Sequence, residues 1–528
     1  MVQIFLSKQN KHFMSSNAFK YSTIVAFGGF VFGLDAALIS GTIDFVTNDF
    51  QLNDLQKGFV VSAPGWGVLI ALLFAGYMAD SLGRKRTLQV IAAFYLVSAV
   101  GSTFAPSFET LAAFRFLGGL AFTSLSLSAM YIGEIAPAEM RGKLVAMNQI
   151  NIVVGLSAAY FINYLILQFS KSDAAWISEW GLNTSTWRWM LGSEILPVIL
   201  WSILLFFIPR SPRWLVLKGK TAEARLVLSK LMNPDEIETE IQGIKKSLAE
   251  ESIKVSYLDQ IKSLFDSKLK TAVIIGVTFA IVQQIIGINA ILFYAPTIFK
   301  QLGLGQDAAF SQAVWVGIVS VIFTVLALLL IDKMGRRPMT LGGLLWAGIS
   351  LAICAYGFNE ATYTLTAEAV ATIENLDASK LSSMIGIEYG SDVEFKSAIQ
   401  ASLGASDTNV FEGDLIQKAG KLPGTLILFG IMSFIAAFQF SVGPIMWVIF
   451  SEIFPTRVRG IAIPACAMVT SIVSVLIQQF FPWQLTNMGA RDIFLFYAVT
   501  CIIGLLALFK LLPETKNKTL EEIEAELA

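Results

Sequence analysis

One motif is written twice in this chain. GYMADSLGRKR at 76–86 and LLLIDKMGRRP at 328–338 each place an Asp at the end of an apolar run, then a Gly turn, then clustered Arg and Lys. Asp80 and Asp332 lie 252 residues apart (332 − 80), close to half of the 528-residue chain. A second pair, EIAPAEMRG from Glu134 and EIFPTRVRG from Glu452, repeats with an offset of 318 (452 − 134). The second half therefore carries an insertion of 66 residues (318 − 252) between the two landmarks. Duplicated halves with short basic turns between long apolar helices are how many membrane carriers are built.

Twelve windows are long and apolar enough to cross about 30 Å of hydrocarbon. They lie near 19–41, 57–80, 87–105, 110–133, 143–167, 188–208, 271–299, 309–331, 338–358, 424–452, 460–483 and 491–512. The expected fold is an all-α integral membrane bundle of twelve transmembrane helices in two six-helix pseudo-symmetric halves. Its parts are an N-terminal half (1–209), a cytosolic helical linker (210–270), a C-terminal half (271–512) and a cytosolic tail (513–528). Charged residues make up 15% of the chain, against roughly 25% in an ordinary soluble protein. A net charge of −1 argues against a nucleic-acid partner. Cys354, Cys466 and Cys501 lie in apolar runs, and the single histidine is His12, so neither a zinc site nor a His-based triad is expected. Without a nucleophile–base or metal constellation, an enzyme is not expected. The first apolar run contains Asp35 and lacks a cleavage pattern, which reads as a retained helix.

Basic residues orient the bundle. Arg84, Lys85, Arg86, Arg141, Lys143, Lys333, Arg336, Arg337, Arg457 and Arg459 fall on one side, as do the linker and both termini, so the termini are expected in the cytosol. The opposite turns hold only isolated basics such as Lys57, Lys171 and Lys300. The insertion falls on that outer side at 359–422, with ten acids against four lysines. LTAEAVATIENL and DVEFKSAIQASL within it suit helices, so the segment reads as a small acidic cap or as a solvated loop without a role.

A charge at the bilayer centre costs at least ~2.5–3.5 kcal/mol, so each one needs a reason. Asp35 in the first window, Arg115 in the fourth and Glu194 in the sixth all fall roughly 8–9 Å below the outer edge at 1.5 Å per residue. That common depth predicts one shared site, either a static ion pair or a proton-exchanging one. A carboxylate facing a permanent guanidinium exchanges a proton only if their separation changes. In the seventh window, QQIIGIN sets Gln283, Gln284 and Asn289 beside Gly287, with Pro296 ending the helix early. FGLD in the first window matches IGIN in the seventh, pairing Asp35 with Asn289 and predicting two broken helices around a midplane site. Amides donate and accept, which suits a neutral polyhydroxyl ligand. Trp447 follows a Gly-Pro break in GPIMW and offers an aromatic face.

Taken in order, GGFVFGLDAALISG, the GRKR and GRRP turns, RFLGGL, YIGEIAP, WRWMLGSE, PRSPRWL, QQIIGIN, SEIFPTRVRG and LPETKNKTLEEIE resemble the sugar porter family of the major facilitator superfamily. The resemblance implies a proton-coupled monosaccharide symporter working by alternating access, with a facilitative uniporter or a transport-inactive sugar receptor as alternatives. It implies no cofactor beyond the proton gradient, a sugar substrate, a lipid bilayer as surroundings and function as a monomer. On the bacterial pattern the location is the inner (plasma) membrane. Its proton-coupling positions fall on Asp35, Arg115 and Glu194. Its sugar ligands fall on Gln149, Gln283, Gln284, Asn289 and Trp447, and Phe32 and Tyr294 join them as candidate lining residues. Its cytosolic charge latch falls on Asp80, Arg84, Glu134, Arg141, Asp332, Arg336, Glu452 and Arg459. There are departures: Thr470 and Ser471 replace a Gln/Trp pair of the xylose symporter, Leu156 a Gln and Ser320 an Asn, and Arg210 stands where the family usually has Glu.

Overall fold

The computed structural model describes residues 2–137, 140–252, 269–373 and 376–527. Every expected window is helical. Ten helices among the described residues are long and apolar enough to cross a membrane. The remaining two windows are Arg84–Thr103, whose first turn is Arg-Lys-Arg, and the sixth, which is split into Thr186–Gly192 and Ile195–Leu204. Helices dominate because a backbone in hydrocarbon must satisfy its own polar groups. Their starts carry local signals: Asn53 and Ser107 each form a capping box at the second (Asp54–Leu82) and fourth (Phe108–Leu120) helices. The duplicated turn is duplicated in geometry too. Gly83 (φ 84°) and Gly335 (φ 95°) take the same left-handed backbone between a long helix and the basic start of the next.

The seventh window is broken as expected, but differently in detail. Gly287 (φ 87°) separates Lys270–Ile285 from Ile288–Phe293, and a third segment, Ala295–Gln301, follows. Pro296 therefore opens a helical segment and does not terminate one, because its missing N–H is harmless in a first turn. The first helix, Val2–Phe50, runs unbroken through Gly33, so the expected pair of broken helices is a single one. A Cβ at Gly33 would stand 1.9 Å from the carbonyl oxygen of Ile152 in the fifth helix (Arg141–Ser170), so this glycine serves close packing and not a kink. The tenth window divides at Ser441 into Gly424–Phe440 and Val442–Ile453, and the sixth divides just before Glu194.

The linker forms Pro212–Leu217, Thr221–Leu228 and Pro234–Ser252, as its three-to-four spacing suggested. The 359–422 insertion is a folded cap, and the solvated-loop reading does not hold. Helices Asp392–Leu403 and Ala405–Ala419 pack on a three-stranded sheet of β1 (Thr362–Thr364), β2 (Glu388–Tyr389) and β3 (Gly420–Lys421), in the order β2-β1-β3. Strands of two and three residues are too short to leave an alternating pattern in sequence. The cap has its own core of Tyr363, Leu365, Phe395, Ile399 and Leu415, with the Tyr363 and Phe395 rings stacked at 5.4 Å between centroids. Asp392 pins it to the bundle by accepting from the Ala490 N–H (3.2 Å) at the start of the twelfth helix, Gly489–Leu511. Truncating one fully buried aromatic costs about 3–5 kcal/mol, more than a unit of this size can spare. Phe395→Ala is expected to make 362–421 the preferred site of limited proteolysis in reconstituted protein, while the transmembrane helices stay protected.

Candidate functional site

Asp35, Arg115 and Glu194, predicted from depth alone to meet, are brought together and buried. Arg115 Nη1 lies 3.5 Å from Asp35 Oδ1, and its Nε donates to the Val60 carbonyl of the second helix at 3.0 Å. Glu194, at the break of the sixth helix, faces the same two charges. Asp35 Oδ2 is buried with no hydrogen-bond partner. A tight charge-assisted pair would sit at about 2.7–2.9 Å, so this one is loose, with one carboxylate oxygen uncommitted. Asp35 thus holds the guanidinium at 3.5 Å, with Glu194 of a third helix within electrostatic reach of both.

The amides form a second cluster on the broken seventh helix. Gln284 Nε2 donates to Gln283 Oε1 (2.6 Å), and Asn289 Nδ2 donates to Gln284 Oε1 (2.8 Å) and Ser474 Oγ (2.7 Å). Gln478 Nε2 also donates to Ser474 Oγ (2.7 Å). Ser474 and Gln478 were missed, although they lie one and two helical turns past Thr470, whose own hydroxyl is spent on the Cys466 carbonyl. Trp447 remains 43% exposed, edge-on to Phe450. Phe32 meets Phe122 edge-on at 4.6 Å, and Gln149 is half-buried on the fifth helix. Tyr294 is fully buried and donates its hydroxyl to the Gln478 carbonyl (3.1 Å). In this conformation it seals the space beside the break and presents no hydroxyl to a ligand.

At the basic end of the bundle the repeated charges form two similar clusters. Arg84 pairs with Asp80 (3.0 Å) and Glu134 (2.9 Å), and Arg336 pairs with Asp332 (3.0 Å) and Glu452 (3.0 Å). Each glutamate has a hydroxyl donor that sequence reading overlooked: Ser211 from PRSPRW for Glu134, and Thr515 from LPETKNK for Glu452. Glu514 adds acceptors for the Arg336 and Arg337 N–H groups. Arg459 departs from the expectation, since its guanidinium reaches the Phe454 carbonyl (3.0 Å) and, among the described residues, no carboxylate. The Arg141 side chain lies outside the described residues. Arg210 pairs with Glu223 (3.4 Å) on the linker.

Both clusters stay within their own half. Among the described residues, the side-chain bonds between halves gather at the opposite, cap-bearing end. Trp66 reaches Gln479 (3.0 Å), the Tyr160 hydroxyl reaches the Leu292 carbonyl (2.6 Å), and Lys171 reaches Asp307 (2.5 Å). Lys57 and Lys300, read as isolated, both bind Asp44. Among the described residues, side-chain bonds join the halves at the cap end and none joins them at the basic end.

The family described as "Sugar (and other) transporter" matches residues 21–374 and 405–527. The chain is 33% identical to the arabinose-proton symporter of Bacillus subtilis (strain 168), over 95% of this chain and 93% of that one. It is 31% identical to the D-xylose-proton symporter of Escherichia coli (strain K12), over 98% and 97%. Its structure matches the partially occluded inward open conformation of the xylose transporter XylE from E. coli, with TM-score 0.72 and 28% identity over 96% of this chain and 100% of that one.

Removing one partner of a buried ion pair costs about 3–5 kcal/mol, because the other charge is stranded. Arg115→Met strands two carboxylates and is expected to lower the thermal midpoint in detergent sharply. Asp35→Asn leaves Arg115 facing Glu194 and is expected to lower it much less.

Proposed function

The chain belongs to the sugar transporter family of the major facilitator superfamily, and from that premise we propose that it is a proton-coupled monosaccharide symporter working by alternating access. The observation that carries the coupling is the uncommitted Asp35 Oδ2 beside a loosely held guanidinium. With Asp35 ionised, Arg115 is shared by two carboxylates. A proton on Asp35 leaves the guanidinium to Glu194 and the Val60 carbonyl, and the first and fourth helices are no longer drawn together by charge. The proton and the sugar then cross together, because the first helix carries the acid and packs against the seventh, which carries the amides.

The basic end is the cytosolic side, where the positive-inside bias places it, with both termini there and the cap outside. The state described above, joined at the cap end, is then the inward-facing one, in which Trp447 opens toward the cytosol. The protein is placed in the bacterial inner membrane and works as a monomer with lipid as its surroundings. Sugar hydroxyls are met by Gln283, Gln284 and Asn289, with Gln149 opposite and Trp447 and Phe32 against the C–H faces. Thr470 and Ser471 are small, which leaves room for the hydroxymethyl group of a hexose.

Two measurements test this. Counterflow in proteoliposomes with a panel of labelled pentoses and hexoses identifies the substrate. In that assay Asp35→Asn is expected to keep exchange while losing uphill accumulation driven by a pH gradient. Accumulation equal to wild type would make Asp35 structural and the protein a facilitator. A buried hydroxyl left without a partner costs about 1–3 kcal/mol, and 1.4 kcal/mol is a factor of ten. Gln283→Ala and Asn289→Ala are each expected to weaken sugar affinity by roughly ten-fold. Affinities equal to wild type for the true substrate would remove the amide cluster from the site.

A further inference from the structure

A further, half-buried carboxylate, Asp44, is used neither by the proton site nor by the amide cluster. It stands nine residues beyond Asp35 on the first helix, about 13–14 Å further toward the cap end. Lys57 of the second helix donates to its Oδ1 at 2.9 Å, Lys300 of the seventh reaches its Oδ2 at 3.0 Å, and the Thr297 hydroxyl reaches Oδ1 at 3.1 Å. The Asp44, Lys57 and Lys300 side chains are 23%, 16% and 21% exposed, so water screens this group less than an ordinary surface pair. By contrast, the neighbouring Lys171–Asp307 bridge is about half exposed on both sides. The excess positive charge is offset by Asp54 and by Glu412 of the cap, both of which act on Lys57.

The division of partners between the halves gives the cluster its meaning. Asp44 and Lys57 belong to the N-terminal half, whereas Lys300 and Thr297 belong to the C-terminal half. We propose that Asp44 and Lys300 are the outer latch of the transport cycle, closed in the inward-facing state and broken to admit sugar from outside, with Lys57 as the partner Asp44 keeps when the latch opens. A carboxylate held by one lysine alone would be stranded on opening, at the full penalty for an unpartnered buried charge. With Lys57 in its own half, Asp44 exchanges two partners for one, and Lys300 moves to water at the rim. The latch therefore closes firmly and still opens. It also ties the helix of the proton acid to the last segment of the helix that bears the sugar amides. This inference rests on the alternating-access reading above.

The test uses the full chain in right-side-out membrane vesicles, with Ser62→Cys as reporter beneath the latch and a membrane-impermeant maleimide added outside. Ser62 is fully buried against the eleventh helix, where its hydroxyl meets Gln479. Asp44→Asn and Lys300→Gln are each expected to raise external labelling by roughly three- to ten-fold, the range for losing one partly buried charged bond. Lys300→Arg is expected to stay near wild type. Lys57→Gln cuts no bond between halves and leaves Asp44 with Lys300 as its one lysine, so it is expected to lower external labelling and not to raise it. Labelling from the cytosolic side of inverted vesicles should stay low in all the folded variants, because Ser62 is buried in the inward-facing state, whereas an unfolded variant would label from both sides. Wild-type labelling in Asp44→Asn and Lys300→Gln, or an equal rise in Lys57→Gln, would overturn the latch. Absence of counterflow for every sugar would instead overturn the transport reading, and the labelling would still report on the latch.

Discussion

A carboxylate buried inside a bilayer needs a partner, and Arg115 is that partner for Asp35. The guanidinium reaches across from the fourth helix, and the Val60 carbonyl of the second fixes its orientation. At 3.5 Å the pair is held without being locked. Had the two met in a bidentate fork, the site would be a static brace. Had Arg115 been absent, Asp35 and Glu194 could not share the space ionised. On the proposed coupling, this intermediate geometry would let one proton decide whether the first and fourth helices are drawn together.

On the proposed coupling, that local switch matters because each half is braced within itself. Polar links between them gather at the cap end, while the repeated charge clusters at the basic end each close within one half. The basic-end clusters tie helix ends to the start of the linker through Ser211 and to the start of the tail through Thr515. Each half is thereby braced as a unit, and the interface is left free to rock. The cap adds to the bracing outside, since its helix Ala405–Ala419 packs on both the first helix and the Ala295–Gln301 segment.

The helices, the repeat and the buried triad were legible because each leaves a one-dimensional trace: an apolar run, a duplicated motif, or a charge at a countable depth. What escaped depends on three-dimensional pairing. Lys57 and Lys300 looked isolated because their common partner is 13 (57 − 44) and 256 (300 − 44) residues away. Ser474 and Gln478 looked like ordinary polar residues of the eleventh helix until Asn289 reached across. Arg459 looked like the match of a latch charge by repeat, yet its side chain was captured by a nearer carbonyl acceptor. The cap's strands are too short for any periodicity to show.

The two halves share an ancestor in their sequence but not in their mechanics, and two glycines show why. Gly33 and Gly287 precede Asp35 and Asn289 by the same two residues. Gly33 spends its missing side chain on contact with the fifth helix, so the first helix stays straight and carries Asp35 rigidly against Arg115. Gly287 spends it on a left-handed backbone, so the seventh helix breaks, and Asn289 leaves its helical neighbours for Gln284 and Ser474. A proton relay needs a stiff mount, because a small change in distance must change the charge state. A sugar site needs a hinge, because its ligands must close around the solute and then release it. On the proposed reading, one repeated glycine position serves both needs, through what each glycine faces.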